Sequence, residues 1–495
     1  MPATTEDSTT EHEPPLPAGR VERGRRAGPA ADHGAPSPRA GLGFAVLAVV
    51  QATLIFTITL IAVPLPDIGR EFGLGPSDLV LVNAAYGLPY SGLLLFGGRL
   101  ADRYGGRRMF TTGLVVFALA SATAAFAPAF EALVAVRFTQ GVGAALTAPA
   151  ALAVLRALFP APAAFGRAMA TWGGVSVLGA AVGTLTSGAV TTWVSWRWMF
   201  AVPVLVAVIA LATAPRLLPA GPGTPSSARP GLDPAGAVLA TLGISIGSYG
   251  LILSGDHPWA SAEVLVPLAV GAALLVAFAA VERRVRGPLL PPGFTLEPRR
   301  FTGLAGILLA AAGTGLVTFV LSLYLQQQRD WSPLATAGAF VPFTVALLAV
   351  NYAAGPLVGR FGAGRVTIAG LVTGAAGLAL LAGIGPETSY ALGLLPGLLL
   401  LPAGTSLVFS GSAVLITADV PPHQAGLAGG VMNTAMELGP TVGLAALMSV
   451  AAARTDLIDG YAWAFGAAGA VYLIAALAAA VPMRGTPLSA PGGRS

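Results

Sequence analysis

The amino-acid sequence predicts an all-α integral membrane protein with fourteen transmembrane helices, arranged as two pseudo-symmetric six-helix bundles plus a two-helix insert. Three observations predict this class: a low charge content, a series of long apolar runs, and a charged loop that occurs twice. Only 10% of the 495 residues are charged and 55% are hydrophobic, whereas soluble domains carry about 25% charged residues. The composition therefore argues against a soluble enzyme. With no cysteine, and with its four histidines outside the apolar runs, the chain is expected to hold no metal cluster.

Fourteen apolar runs are each long enough to cross a bilayer, which takes about 20 mostly apolar residues in a helix. Short loops or linkers rich in proline and glycine separate them. The predicted spans are residues 42–65, 78–97, 109–129, 132–155, 168–190, 198–215, 234–254, 264–281, 302–325, 335–358, 366–384, 390–417, 427–452 and 461–482.

The arginines predict the orientation of these spans. All 27 basic residues are arginine, and an even number of spans places both termini on one side. With the termini inside, 22 arginines fall in cytoplasmic segments and only Arg70, Arg197, Arg329 and Arg454 fall outside. Cytoplasmic loops are enriched in basic residues, so we expect both termini in the cytoplasm. This distribution also explains the pI near 9.9 without nucleic-acid binding.

Polar and proline-rich segments divide the chain into five parts. The first part is predicted to be a disordered cytoplasmic tail, because it is polar and lacks the apolar region of a signal peptide. The parts are a tail at 1–41, a first bundle at 42–217, linkers and the insert at 218–300, a second bundle at 301–483, and a tail at 484–495.

One charged loop occurs twice, in equivalent positions of the two predicted bundles. GRLADRYGGRR (98–108) follows the second span and GPLVGRFGAGR (355–365) follows the tenth. Gly105 aligns with Gly362 and Arg103 with Arg360. A duplicated half is the architecture of many secondary transporters, which bind substrate near the midplane between the halves.

At this point the chain resembles the major facilitator superfamily, and within it the fourteen-span drug:proton antiporter group, over about residues 45–480. The loop at 98–108 is similar to the superfamily signature, with Gly106 where a basic residue is usual. SWRWMF (195–200) is similar to a segment before the sixth span, and RFTQGVGAA (137–145) to the fourth-span motif of proton-coupled members. GLAGGVMNTA (426–435) resembles the pattern before the penultimate helix.

Two positions depart from the group. The aspartate usual in the first span, ahead of the PLPDI motif (64–68), is here Thr57. The glycine–proline pair usual in the fifth span is here Gly183 followed by Thr184. Both departures affect positions that the resemblance links to proton antiport.

The resemblance implies a gating role for the first loop. Asp102 lies among arginines and is expected to brace neighbouring helix ends by charge-assisted hydrogen bonds that break as the halves move. The alternative is that these arginines only set the topology. The predicted gating residues are Gly98, Asp102, Arg103, Gly105, Arg107 and Arg108.

Small residues spaced by four in the fifth span predict close helix packing. Gly179 and Gly183 would let two helices approach in lipid. By resemblance, an alternative role is to occlude the transport pathway.

Two charged residues inside spans are the candidates for proton coupling. Arg137 is the only base within a span and Glu437 the only acid near a span centre, and an ionisable group in hydrocarbon is costly unless it faces a cavity or a partner. Asn433, Thr434 and Thr441 share a helix face with Glu437, and Pro440 is expected to loosen the helix there. The alternatives are an Arg137 that reaches the nearby surface and a Glu437 that stays protonated between helices.

The predicted function is export of a hydrophobic or amphipathic drug-like or antibiotic-like molecule by proton antiport, in a bacterial cytoplasmic membrane. The alternative is a proton-coupled or uncoupled importer or facilitator of a small metabolite. No nucleophile–base pair, phosphate-binding loop or filter sequence favours an enzyme or a channel. The expected partners are a small-molecule substrate, protons and lipid, but no nucleic acid. The expected driving force is the proton motive force, and no cofactor is expected. The protein is expected to be a monomer. The predicted substrate-cavity residues are Gln51, Asn83, Tyr86, Tyr90, Gln140, Trp172, Asn351 and Asn433.

Overall fold

The computed structural model describes residues 38–220, 232–285, 288–290, 292–418, 420 and 425–483. All regular structure in these ranges is helical. The predicted tail at 1–41 lies outside them except for its last four residues, which belong to the first helix and not to a tail. The predicted tail at 484–495 lies wholly outside the described residues.

The helices of the first half follow the first six predicted spans. A five-residue 3₁₀ segment, Trp196–Phe200, precedes the last of them. The helices are α1 (Pro38–Thr59), α2 (Leu65–Phe72), α3 (Pro76–Tyr104), α4 (Gly106–Ala124), α5 (Phe130–Leu158), α6 (Pro162–Trp193) and α7 (Ala201–Leu217).

The insert and the second half follow in the same order. Three five-residue π-helical segments interrupt the second half, at Tyr324–Gln328, Tyr390–Leu394 and Gly439–Gly443. The helices are α8 (Pro234–Leu253), α9 (Ala262–Glu282), α10 (Pro292–Thr295), α11 (Pro298–Leu323), α12 (Pro333–Ala339), α13 (Val341–Phe361), α14 (Ala363–Leu381), α15 (Leu395–Thr417), α16 (Ala425–Leu438), α17 (Leu444–Ala451) and α18 (Leu457–Met483).

Twelve of the described helical stretches are long and apolar enough to cross a membrane, so the chain is a multi-pass membrane protein. The third and fifth predicted spans are not among the twelve. Their positions are nevertheless occupied by α4 and α6, helices of 19 and 32 residues. The fourteen-span count therefore stays a prediction.

Several predicted spans differ from the observed helices, and three of them show why. The first span was expected to run to residue 65, but α1 ends at Thr59 and α2 begins at Leu65, because Pro64 and Pro66 interrupt an apolar run that hydropathy alone reads as continuous. The tenth span is broken at Phe340, between α12 and α13. The thirteenth passes through the π-helical segment at Gly439–Gly443, where Pro440 had predicted a disturbance.

The packing of the first half recurs in the second. In the first half α5 packs on α3 and α4, and α7 packs on α1 and α4; in the second half α15 packs on α13 and α14, and α18 packs on α11 and α14. The duplicated loops also share a backbone conformation, since Gly105 has φ 92° and Gly362 has φ 85°. Residues with a Cβ rarely adopt this region, so the shared glycines of the repeat end α3 and α13 in the same way.

The insert packs between the halves. α8 and α9 pair through close glycine contacts, and a Cβ added to Gly271 would lie 2.6 Å from the Cα of Gly247. α8 also packs on α3 and on α17, and Ser77 Oγ donates to the carbonyl of Ile252 at 2.8 Å. The insert therefore contacts both halves along one side.

Glu71, after the first span, connects three parts of the first half. Its carboxylate accepts hydrogen bonds from Trp196 Nε1 at 2.8 Å and Arg197 Nη1 at 2.5 Å. Arg197 also donates to the carbonyl of Ala127 at 3.0 Å. Glu71 thus ties α2 to the 3₁₀ segment and, through Arg197, to the α4–α5 loop.

Candidate functional site

A cavity of about 680 Å³ lies between α3 and α5 of the first half and α16 of the second. Along α3 it extends from Tyr90 to Asp102, a length of about 18 Å at 1.5 Å per residue, and Asp102 is exposed at its end. Most of the wall is apolar. The lining residues that carry polar or aromatic side chains are Gln51, Tyr90, Arg99, Asp102, Arg156, Trp172 and Asn433.

At the opposite end, which carries Gln326, the halves are in contact. Gln326 Nε2 donates to the carbonyl of Val63 at 2.8 Å, and the amide of Leu334 donates to Thr192 Oγ1 at 3.2 Å. A Cβ on Gly188 would lie 2.7 Å from the carbonyl oxygen of Pro333, which shows how closely α6 and α12 pack here. The cavity is therefore open at the Asp102 end and closed at the Gln326 end.

The predicted gating residues separate at this mouth. Asp102 lines the cavity, where Arg99 and Arg156 are the arginines that act on its charge. Arg107 and Arg108, which the sequence also predicts around Asp102, follow the glycine between the two helices. Gly105 ends α3, and both arginines therefore lie on α4, where Arg107 donates to the carbonyl of Leu218 at 3.2 Å and Arg108 is exposed.

The other two members of the motif, Gly98 and Arg103, lie on α3. Arg103 lies over the ring of Tyr104, with 5.8 Å between the guanidinium carbon and the ring centroid. Gly98 lines the cavity on α3. Gly97, beside it, packs on α5, where an added Cβ would lie 3.0 Å from the carbonyl carbon of Ala145.

Arg137 is fully buried inside the first half, so it does not reach the surface. Its Nε donates to the carbonyl of Val82 at 3.3 Å and its Nη1 to the carbonyl of Thr57 and to Gln140 Oε1, both at 3.5 Å. Its guanidinium lies 5.4 Å from the ring centroid of Tyr86. Among the described atoms, Nη2 has no hydrogen-bond partner, and no described carboxylate forms an ion pair with this arginine.

Glu437 faces the first half across the interface. It is 5% exposed and is the eleventh of the 25 residues in the span Leu427–Ala451. Its carboxyl group lies within electrostatic range of the hydroxyls of Tyr86 and Tyr90, whose rings are 5.7 Å apart. No described residue donates a hydrogen bond to it. Tyr86 therefore lies between the acid of the second half and Arg137 of the first.

The predicted cavity residues fall into two groups. Four of them, Gln51, Tyr90, Trp172 and Asn433, line the cavity. The expectation that the other four do so differs from the structure. Tyr86 and Gln140 are fully buried behind the wall, where Tyr86 donates to the carbonyl of Leu54 and Gln140 to Ser121 Oγ. Asn83 is half-buried earlier on α3, and Asn351 is exposed on α13.

The predicted packing glycines lie where two helices approach closely. A Cβ on Gly179 would lie 2.5 Å from the carbonyl oxygen of Ala52, and one on Gly183 would lie 3.1 Å from that of Phe56. α6 therefore packs directly on the backbone of α1 through these two glycines.

Arg156, Leu289 and Met436 are among the cavity residues that were not predicted from the sequence. Arg156 follows the fourth predicted span, and nothing in its local sequence distinguishes it from a topological arginine. Leu289 lies in a proline-rich linker, and Met436 is an ordinary apolar residue of its helix. Of these three, only Met436 has a sequence feature that could have predicted its place in the cavity, because it directly precedes Glu437.

A family model described as Major Facilitator Superfamily matches residues 45–444 and, in a second match, residues 303–494. The puromycin resistance protein pur8 of Streptomyces alboniger is 36% identical over 423 residues, which cover 85% of this chain and 83% of that protein. The cephamycin export protein CmcT of Amycolatopsis lactamdurans is 37% identical over 444 residues, covering 88% and 91%.

Solved structures share the fold. An auto-inhibited peptide transporter of the POT family superimposes with a TM-score of 0.66 at 17% identity, covering 92% of this chain and 99% of that one. On the family match and the two relatives together, the chain belongs to the major facilitator superfamily.

Proposed function

We propose that this protein exports a hydrophobic or amphipathic antibiotic-like molecule across a bacterial cytoplasmic membrane. The observation that carries the proposal is the mostly apolar cavity between the halves, open at the Asp102 end and closed at the Gln326 end. A cavity of this kind suits drug-sized ligands that are held by apolar contact and a few polar groups. The names of the two relatives, a puromycin resistance protein and a cephamycin export protein, support the same class of substrate.

The orientation follows from the arginines. The Asp102 end carries Arg99, Arg103, Arg107 and Arg108, so it is cytoplasmic by the positive-inside rule, and both termini lie on that side. With α4 and α6 counted as spans, the chain crosses the membrane fourteen times, as six spans, the insert and six more. The described conformation then opens to the cytoplasm, and export requires the halves to close there and open at the Gln326 end.

The driving force is one proton entering for each molecule exported. Glu437 is the coupling carboxyl group, since it is buried at the interface without a donor among the described residues and an ionised carboxylate there is costly. It binds its proton when the cavity faces one side and releases it when the cavity faces the other. Tyr86 lies beside both Glu437 and Arg137. A change in the charge of Glu437 in the second half therefore changes the electrostatic potential at Tyr86 and Arg137 in the first. The protein works as a monomer and needs no cofactor.

Drug export is tested in a bacterial host that lacks its own pumps. Expression of the parent chain should raise the minimal inhibitory concentration of puromycin or of other amphipathic antibiotics that act inside the cell. Trp172→Ala should lower that resistance because it removes a cavity aromatic. The matched control is Trp193→Ala on the same helix, since Trp193 is 72% exposed at the closed end. Equal resistance in both variants, or no resistance from the parent, would reject the proposal.

A further inference from the structure

Residues 288–290, which follow the insert, lie against the mouth of the cavity. Leu289 is 4% exposed and forms part of the cavity wall. The carbonyl of Pro288 accepts a hydrogen bond from Arg99 Nη2 at 2.5 Å. Arg99 lines the same cavity beside Asp102. This short segment is therefore bonded to the first half at the gating loop.

The insert holds the same segment from the other side. The amide of Leu289 donates to one carboxylate oxygen of Glu282 at 3.2 Å, and the amide of Leu290 donates to the other at 2.9 Å. Glu282 is the last residue of α9 and is 3% exposed. One buried carboxylate thus fixes two consecutive amides, and so fixes the direction in which the Leu289 side chain points.

Glu282 is itself held in place at the base of the insert. Asp233 is also 3% exposed and caps α8, since its Oδ1 accepts from the amide of Gly236 at 2.7 Å. A Cβ on Gly236 would lie 2.8 Å from Glu282 Oε1. The glycine therefore leaves the space in which the end of α9 packs against the start of α8.

Leu290 and Phe294 pack against the second half. They pack in an apolar cluster with Ile307 of α11, Ile416 of α15 and Ala428 of α16. Residues 288–290 and Phe294 thus contact the insert and both halves at the cavity mouth.

We propose that Leu289 is a specificity-determining residue of the export cavity and that Glu282, at the end of the insert, is the positioning residue that holds it in the wall. The proposal rests on the proposed function for its substrates and on the described contacts for its geometry. It gives the insert a role in substrate selection, because the insert supplies the carboxylate that sets the shape of the mouth.

The geometry is tested by thiol labelling, which needs no transport. The chain has no cysteine, so Leu289→Cys introduces a single thiol. We expect N-ethylmaleimide to label it slowly in membranes, and about tenfold faster when Glu282→Ala removes the acceptors of two buried amides. Glu282→Gln, which keeps one acceptor, should give an intermediate rate. The control acid is Glu297, whose side chain is 38% exposed and pairs with Arg300; Glu297→Ala should leave the rate unchanged.

Labelling that is equally slow in the Leu289→Cys chain and in both of its Glu282 variants would show that the carboxylate does not hold the segment. Fast labelling of the Leu289→Cys chain itself would show that residue 289 is not buried against the wall as the structure describes it. Either result overturns the proposal, even if one variant is poorly folded, because the Leu289→Cys chain and its glutamine variant are read separately.

The specificity role is tested by the ratio of puromycin to cephamycin export, measured as uptake into inside-out membrane vesicles. Leu289→Ala and Leu289→Phe should shift this ratio in opposite directions, each by about threefold or more, since one removes and the other adds cavity volume. Leu296→Ala is the control, because Leu296 is 74% exposed nearby and does not line the cavity. An unchanged ratio would refute the specificity role. A parent that exports neither drug would instead reject the proposed function, and the labelling result would still decide the geometry.

Discussion

Glu437→Gln should uncouple export from the proton gradient while leaving the fold intact. Gln has nearly the shape of a protonated Glu, and no described residue donates to the Glu437 carboxyl group. The change in the free energy of unfolding should therefore stay below about 1 kcal/mol, as for substitutions that remove no buried partner. What the variant loses is the ability to release a proton.

The size of the effect follows from the number of coupling acids. Of the described carboxylates, Glu437 is the one near the centre of a span, so the proposed mechanism predicts one proton exchanged for each drug molecule. In proteoliposomes with a pH difference of about 2 units and the potential set to zero, that proton supplies about 2.7 kcal/mol. The parent should therefore concentrate puromycin by at most about 100-fold. The variant should reach a ratio of about 1, with downhill drug exchange retained.

The measurement is the steady-state ratio of radiolabelled puromycin across the vesicle membrane. The control is Glu263→Gln, which neutralises a fully exposed acid at the start of α9 and should accumulate puromycin as the parent does. Uphill accumulation by the Glu437 variant, with the pH dependence of the parent, would refute the coupling role. A parent that only equilibrates the drug would favour the uncoupled facilitator.

Four further results are expected. Reporter fusions near either terminus should both report cytoplasm, and a periplasmic signal from one would contradict the even number of spans. Asp102→Asn should slow drug export severalfold at unchanged membrane abundance, because the charge between Arg99 and Arg156 is lost; parental export would exclude the gating role. Arg137→Lys should lower export about tenfold, since a lysine lacks the second donor direction, whereas Arg108→Lys on the surface should not. Gly179→Leu should destabilise the protein by about 1–3 kcal/mol or more through overpacking on α1, measured by thermal unfolding in detergent. Gly174→Leu, with open space at its Cβ position, should not.

The features that could be predicted from the sequence are those set by local chemistry. The paired glycines of the two loops were visible as a repeat, and the structure gives both a positive φ. The isolation of Glu437 in an apolar run was visible because a charge in such a run stands out. Gln51, Tyr90, Trp172 and Asn433 were identified as polar or aromatic interruptions of spans.

The remaining features depend on how helices meet, which a single sequence does not specify. Arg156 joins the mouth only because α5 packs along α3, and Gln140 leaves the cavity only because its helix turns it towards Ser121. The end of α1 at Thr59 was hidden because hydropathy continues to Val63 although the helix does not. Leu289 lies in a predicted linker, and its burial cannot be predicted because it depends on partners distant in the sequence.

The positions of the π-helical segments predict that the second half is more flexible than the first. All three that the described residues contain lie after residue 301. A π turn widens the helix and weakens its regular hydrogen-bond ladder, so amides at 324–328, 390–394 and 439–443 should exchange with deuterium faster than those of α2 and the Trp196–Phe200 segment. Faster exchange confined to these segments would show that the second half bends at its π turns during each transport cycle, and equal exchange would show that the two halves move as equally rigid bodies.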